Sequence, residues 1–168
     1  TRVGTGTTYM VFNFNTGVNV TENIYDNSIY NNSNTGNGDF YCLNSSQGTT
    51  TTRNIYGNSI YSNSTRKNLY GIYQGNGATV NIFNNILNDL RTTTTTAFSV
   101  YGVYMATGTD VRIYNNFIFD LKAPSSTNTT AGACGIYLAG GSSVGIFYNT
   151  VLLDYISTNS SNTSAALY

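Results

Sequence analysis

The sequence predicts an all-β chain: a right-handed, single-stranded parallel β-helix, or solenoid, of about five coils with no capping helix. Three observations carry that expectation. One motif recurs five times at nearly constant spacing. Apolar residues inside each copy alternate with a period of two, which is the strand pattern and not the helical one. The segments between copies are Asn-, Gly-, Ser- and Thr-rich turns with no helical stretch. Parallel strands normally need long crossovers, and a solenoid avoids them because each turn lays the next strand above the last.

The strings ENIYDNSIYN (22–31), RNIYGNSIYS (53–62), NIFNNILND (81–89), RIYNNFIFD (112–120) and GIFYNTVLLD (145–154) are versions of one unit. They align on Asn27, Asn58, Asn85, Asn116 and Asn149, at spacings of 31, 27, 31 and 33 residues. Three residues before each Asn stands Ile24, Ile55, Ile82, Ile113 or Ile146, and two after it Ile29, Ile60, Leu87, Ile118 or Val151. These are expected to form two interior stacks. Each Asn is expected at a tight corner, in the left-handed conformation that Asn tolerates better than most residues. Stacked about 4.8 Å apart, their amides can bond along the stack. Each such bond contributes about 1 kcal/mol net.

A second motif lies upstream. YGIYQGNGATVNI (70–82), YGVYMATGTDVRI (101–113) and CGIYLAGGSSVGI (134–146) match without gaps, while FYCLNSSQG (40–48) and TYMVFNFNTG (8–17) are looser versions. Gly77, Gly108 and Gly141 punctuate a second corner. The coils therefore fall near 9–39, 40–68, 69–99, 100–132 and 133–166, in one segment of a longer array or one stacking subunit. Five coils at about 4.8 Å rise give a cylinder roughly 25 Å tall.

Composition narrows the chemistry. Charged residues make up 8 % of the 168, with 7 basic and 7 acidic, against roughly 25 % in ordinary soluble proteins. No positive balance steers the chain to nucleic acid, and no apolar run of about 18 residues would insert into a membrane. The absence of His excludes a His-dependent triad, an imidazole metal site or a His general base within this chain. Cys42 and Cys134 lack metal-ligand spacing. They lie three coils apart, roughly 14 Å by rise, against the Cα separation of about 7 Å that a disulfide permits. No intrachain bridge is expected, and both thiols should sit in the interior stack.

The GIY…G…V-x-I-x-N-N-x-I-x-D pattern resembles the right-handed parallel β-helix repeats of the pectate-lyase-like superfamily, as in large exported bacterial surface proteins. The resemblance covers nearly the whole chain. It implies an exported, extracellular or cell-surface protein and is specific for fold more than for function. The near-absence of charge, the lack of His, the uncapped coil and the aromatic residues at repeated phases give the first expectation: a structural or adhesive element, a surface-protein segment or a filament subunit. Its partners would be further copies stacked end to end, a neighbouring surface protein, or polysaccharide. The alternatives it implies are a carbohydrate-active lyase or hydrolase and a glycan-binding module. The family's calcium-binding Asp cluster and catalytic Arg have no matched motif here, so no catalytic residue, metal or cofactor is assigned on the first reading.

The residues offer sites for each reading. Asp89 and Asp120 share a phase in adjacent coils, so their carboxylates could lie near 5 Å apart, a separation suited to a retaining glycosidase or to part of a Ca²⁺ site. Asp154 sits one residue out of phase. Arg91 and Lys122, two residues after each acid, offer the plainer outcome of a surface ion network. Glu22 and Arg53 share a phase where later coils carry Val80, Val111 and Val144, so an ion pair facing partly inward is expected, or one rotated outward by two extra upstream residues. Tyr25, Tyr56, Phe83, Tyr114 and Phe147 alternate with the interior Ile residues and should form an outer row, with Tyr73, Tyr104 and Tyr137 a second. Such rows stack on sugars, pack on a neighbour, or simply stabilise the coil. Asn19, Asn31, Asn44, Asn63, Asn128, Asn159 and Asn162 match the N-glycosylation acceptor pattern. The tracts Thr49–Thr52 and Thr92–Thr96 read as polar loop or O-linked sites.

Overall fold

The computed structural model describes residues 3–168, and among them every regular element is a strand. Three parallel sheets wrap one core. The first holds β1 (Thr8–Phe14), β5 (Phe40–Ser46), β8 (Leu69–Gln74), β11 (Val100–Met105), β15 (Ala133–Leu138) and β18 (Ser164–Leu167), in that order. The second runs β2 (Thr21–Tyr25), β6 (Thr52–Tyr56), β9 (Thr79–Phe83), β12 (Asp110–Tyr114), β16 (Ser143–Phe147). The third runs β3 (Ser28–Tyr30), β7 (Ser59–Thr65), β10 (Ile86–Thr92), β13 (Phe117–Phe119), β17 (Thr150–Leu152), with β4 (Ser33–Asn34) beside β7 and β14 (Leu121–Lys122) beside β10. The chain visits the three sheets in turn about five times, which makes a parallel β-solenoid.

The register is that of the repeat. Ile24, Ile55, Ile82, Ile113 and Ile146 pair coil to coil, as do Ile29, Ile60, Leu87, Ile118 and Val151. Both stacks belong to the core, fully buried in the middle coils and partly open at the ends. Val11, Leu43, Ile72, Val103 and Ile136 complete it from the first sheet.

The corner between the second and third sheets is held by the Asn ladder. Asn27 donates its amide to the Asn58 side-chain oxygen at 2.8 Å, and Asn58, Asn85 and Asn116 each donate to the next at 2.9 Å. The same oxygens accept the backbone N–H of the preceding ladder residue at 3.0–3.1 Å. The left-handed residue, however, is not the ladder Asn. It is the one before it: Asp26, Gly57, Asn84, Asn115 and Tyr148, with φ between 54° and 65°. That residue turns the chain so that the following amide points inward and bonds along the stack.

A column of small residues sets the first sheet against the third. Gly71, Gly102 and Gly135 follow Tyr70, Tyr101 and Cys134 and lie level with Cys42. A Cβ on Gly71 would stand 2.6 Å from the Gly102 carbonyl, and one on Gly102 would stand 2.7 Å from Ile118. At Gly77 and Gly108 a Cβ would press on Val80 and Val111 at 2.7 Å each. Both cysteines are free and buried, but only Cys42 joins the core. Cys134 pairs in register with Tyr101, so it closes an outer tyrosine column and is not part of the interior stack.

Candidate functional site

Outward-pointing rings form continuous ladders because identical phases carry aromatic residues one strand spacing apart. On the second sheet Tyr25, Tyr56, Phe83, Tyr114 and Phe147 stack with centroids 5.1, 4.9, 5.0 and 5.1 Å apart and ring planes within 9°. On the first sheet Tyr73, Tyr104, Tyr137 and Tyr168 stack at 5.3, 4.9 and 4.9 Å. Beside them runs a column that the repeat pattern did not single out: Tyr9, Tyr41, Tyr70 and Tyr101, at 5.0, 4.4 and 5.1 Å. The two columns meet edge to face, as at Tyr70–Tyr73 (5.5 Å, 85°) and Tyr101–Tyr104 (5.1 Å, 77°). The signal for the missed column was the recurring Tyr-x-x-Tyr of 70–73 and 101–104. Strict alternation hides it, because the chain passes inward at Gly71 and again at Ile72.

Stacking decides what these rings offer. Within a ladder both faces of an inner ring are covered by its neighbours, so only edges and hydroxyls remain open to solvent. Burial pushes the Tyr41 and Tyr70 phenols well above their ordinary value, with Asp39 and neighbouring rings adding to it. Burial also raises Tyr73, Tyr101 and Tyr104. The phenols of Tyr41, Tyr70, Tyr73, Tyr101 and Tyr104 therefore keep their protons and present hydrogen-bonding edges.

The acids are brought together in register but each is engaged by its own cation. Asp89 and Asp120 lie between the paired positions Leu87–Ile118 and Leu90–Leu121, and both have positive φ. Asp89 is ion-paired with Arg91 and accepts from Ser62 Oγ at 2.9 Å. Partial burial works to raise its pKa, but the Arg91 and Ser62 hydrogen bonds and the charges of Arg91 and Lys122 outweigh it and hold the carboxyl low. Asp120 pairs with Lys122 at 2.5 Å. Asp154 is exposed. Among the described residues no group of three or more Cys, Asp or Glu is placed to hold a metal ion.

Glu22 and Arg53 do face inward. Arg53 is fully buried and donates from Nε to Glu22 at 2.7 Å, from one terminal nitrogen to Ser46 O at 3.1 Å, and from the other to Asn76 O. Asn13 adds a 2.9 Å bond to the same carboxylate. Nearby, Ser45 Oγ and Gln74 Oε1 are buried without a protein partner. The first coils thus have a polar corner where later coils carry Val80, Val111 and Met105.

Among the acceptor asparagines, Asn19 and Asn31 are exposed, and Asn128, Asn159 and Asn162 are half-buried. Asn44 and Asn63 are buried. Asn63 donates its amide to Ile29 O and Tyr61 O and receives Asn32, so it forms a second, shorter Asn ladder and offers no amide for glycosylation in the folded chain. Asn23, Asn54 and Asn81 form a third on the outer face of the second sheet. No family model, curated protein or solved structure matches the chain.

Proposed function

We propose that the chain is a structural and adhesive section of an extracellular β-solenoid, of the pectate-lyase-like kind, that holds a rigid lateral face in place. The observation that carries this reading is the unbroken run of side-chain ladders. Amides and rings repeat from the first coil to the last, and they engage ring faces and amides in holding coil to coil. Asp89 and Asp120 follow the same logic, each neutralised by the cation two residues on. Among the described residues β2 and β3 at one end and β16, β17 and β18 at the other are the end members of their sheets, and an end strand is where another coil would pair. A further copy or a neighbouring surface protein is the fitting partner, and polysaccharide would meet the wall through ring edges and hydroxyls.

Cryo electron microscopy of the native assembly tests this. Rods with one-coil striations near 4.8 Å are expected. Discrete particles that cleave polysaccharide, with activity lost in Asp89→Asn or Asp120→Asn, would overturn it in favour of a carbohydrate-active enzyme.

A further inference from the structure

The corner between the third and first sheets carries an unassigned charge feature. Among the described residues, Arg53, Arg91, Arg112 and Lys122 each hold a carboxylate, whereas Arg66 and Lys67 have none within ion-pair distance. These two adjacent cations lie in the turn between β7 and β8. With Asn37 and the tract Thr93–Thr96 they line a cleft of about 160 Å³. No carboxylate lines it. Asp39, the acid on the coil above, is taken up by Asn68, which donates to it from its backbone N–H at 3.2 Å and from its side-chain amide at 3.4 Å.

The walls are held in place. The Lys67 ammonium sits 4.1 Å from the centre of the Phe98 ring, a cation–π contact that fixes where the charge lies. The threonine tract is pinned from the coil above and within: Thr93 N–H donates to Thr65 O at 2.8 Å, and Thr94 and Thr96 share a hydroxyl bond of 2.8 Å. A planar guanidinium fork beside a point-charge ammonium, with Asn37 and the exposed Thr95 and Thr96 lining the same cleft, is a donor set that suits an oxyanion. In a chain with so few charges, little else nearby competes for the anion.

We propose that this corner binds a single oxyanion group, a sulfate, phosphate or carboxylate, between Arg66, Lys67 and the hydroxyls of the threonine tract. The group is either a free ion or a substituent on a saccharide. The cleft has room for one such group and its water.

The test is an NMR titration of the isotopically labelled chain with sodium sulfate, sodium phosphate and a sulfated disaccharide, at low ionic strength held constant with chloride. Saturable shifts confined to Arg66, Lys67, Phe98 and Thr93–Thr96 are expected. Arg66→Gln, at an exposed position that the fold does not need, should weaken binding about tenfold or more, as loss of a charge-assisted bond does. Lys67→Gln should do the same, and Arg112→Gln should leave affinity unchanged. Tighter binding of the disaccharide than of sulfate identifies a saccharide substituent, and equal binding identifies the free ion. Shifts that never saturate, or that survive in the Arg66→Gln, Lys67→Gln double variant, overturn the proposal.

Discussion

Arg53 stands next to Glu22 in a column that continues as Val80, Val111 and Val144, and it brings a full charge into the wall of the core. Its worth lies in being paired. Arg53→Ala would strand Glu22 beside buried carbonyls and should cost about 3–5 kcal/mol, whereas Glu22→Val with Arg53→Val extends the valine column and should be neutral or stabilising. Chemical denaturation of the two variants checks this, and equal losses would refute it. The pair also sets an acid response. Burial works to raise the Glu22 pKa, but the bonds from Arg53, Asn15 and Asn13 and the Arg53 charge hold it below its ordinary 4.5. The stabilisation is therefore complete above pH 4.5 and is lost as pH falls through the folded-state value. Glu22→Gln should flatten that part of the stability profile, leaving the slope from Asp89, whose carboxyl is also held low. Tyr148 is a different single-residue case: its φ is 57° where the other coils carry Asp, Gly, Asn and Asn. Tyr148→Asn should stabilise the chain by about 1 kcal/mol, read as a raised unfolding temperature.

At the scale of one element, the Asn ladder gains its strength from continuity. Asn85 accepts from Asn58 and donates to Asn116, Ile55 O and Phe83 O, all within 3.1 Å. Asn85→Ala leaves those groups buried and unpaired and should cost about 3 kcal/mol; Asn27→Ala, at the open end where water replaces the bonds, should cost under about 1 kcal/mol. Equal costs would mean that the ladder is decorative. This element was legible in the sequence because its residue type and its phase both repeat: an Asn with Ile on either side at a fixed offset has one consistent reading. The left-handed position was not, because Asp26, Gly57, Asn84, Asn115 and Tyr148 share a backbone angle and no side-chain chemistry. The Tyr41, Tyr70, Tyr101 column escaped for a related reason, since period-two counting fails across Gly71 and Gly102. The inward phase of Arg53 was legible as a register match, but the loop carbonyls of Ser46 and Asn76 that receive it were not, since loops of unequal length carry no phase.

Across the whole molecule, each coil contacts only the coils above and below it, so stability is a sum of neighbouring interfaces. Hydrogen exchange should be slowest at Ile72, Ile82, Leu87, Val103, Ile113 and Ile118, whose strands are paired on both sides, and faster at Val11, Ile24 and Ile146. Uniform protection from end to end would contradict this picture. Spacing between ladder residues varies from 27 to 33 without disturbing the register. The excess is taken up in the loops, which stack on each other through bonds such as Ser126 Oγ to Phe98 O at 2.7 Å.

The tyrosine wall makes the chain an optical array. Fifteen tyrosines and no tryptophan mean that excitation absorbed by one phenol has no lower-energy ring to drain into. With neighbours about 5 Å away and the two columns meeting edge to face, it passes between rings of different orientation before emission. The folded chain should therefore emit depolarised tyrosine light and show coupled bands in near-ultraviolet circular dichroism. Unfolding one end of the solenoid would shorten the array and restore the anisotropy of the released rings. The fold thus carries its own reporter of how many coils remain joined.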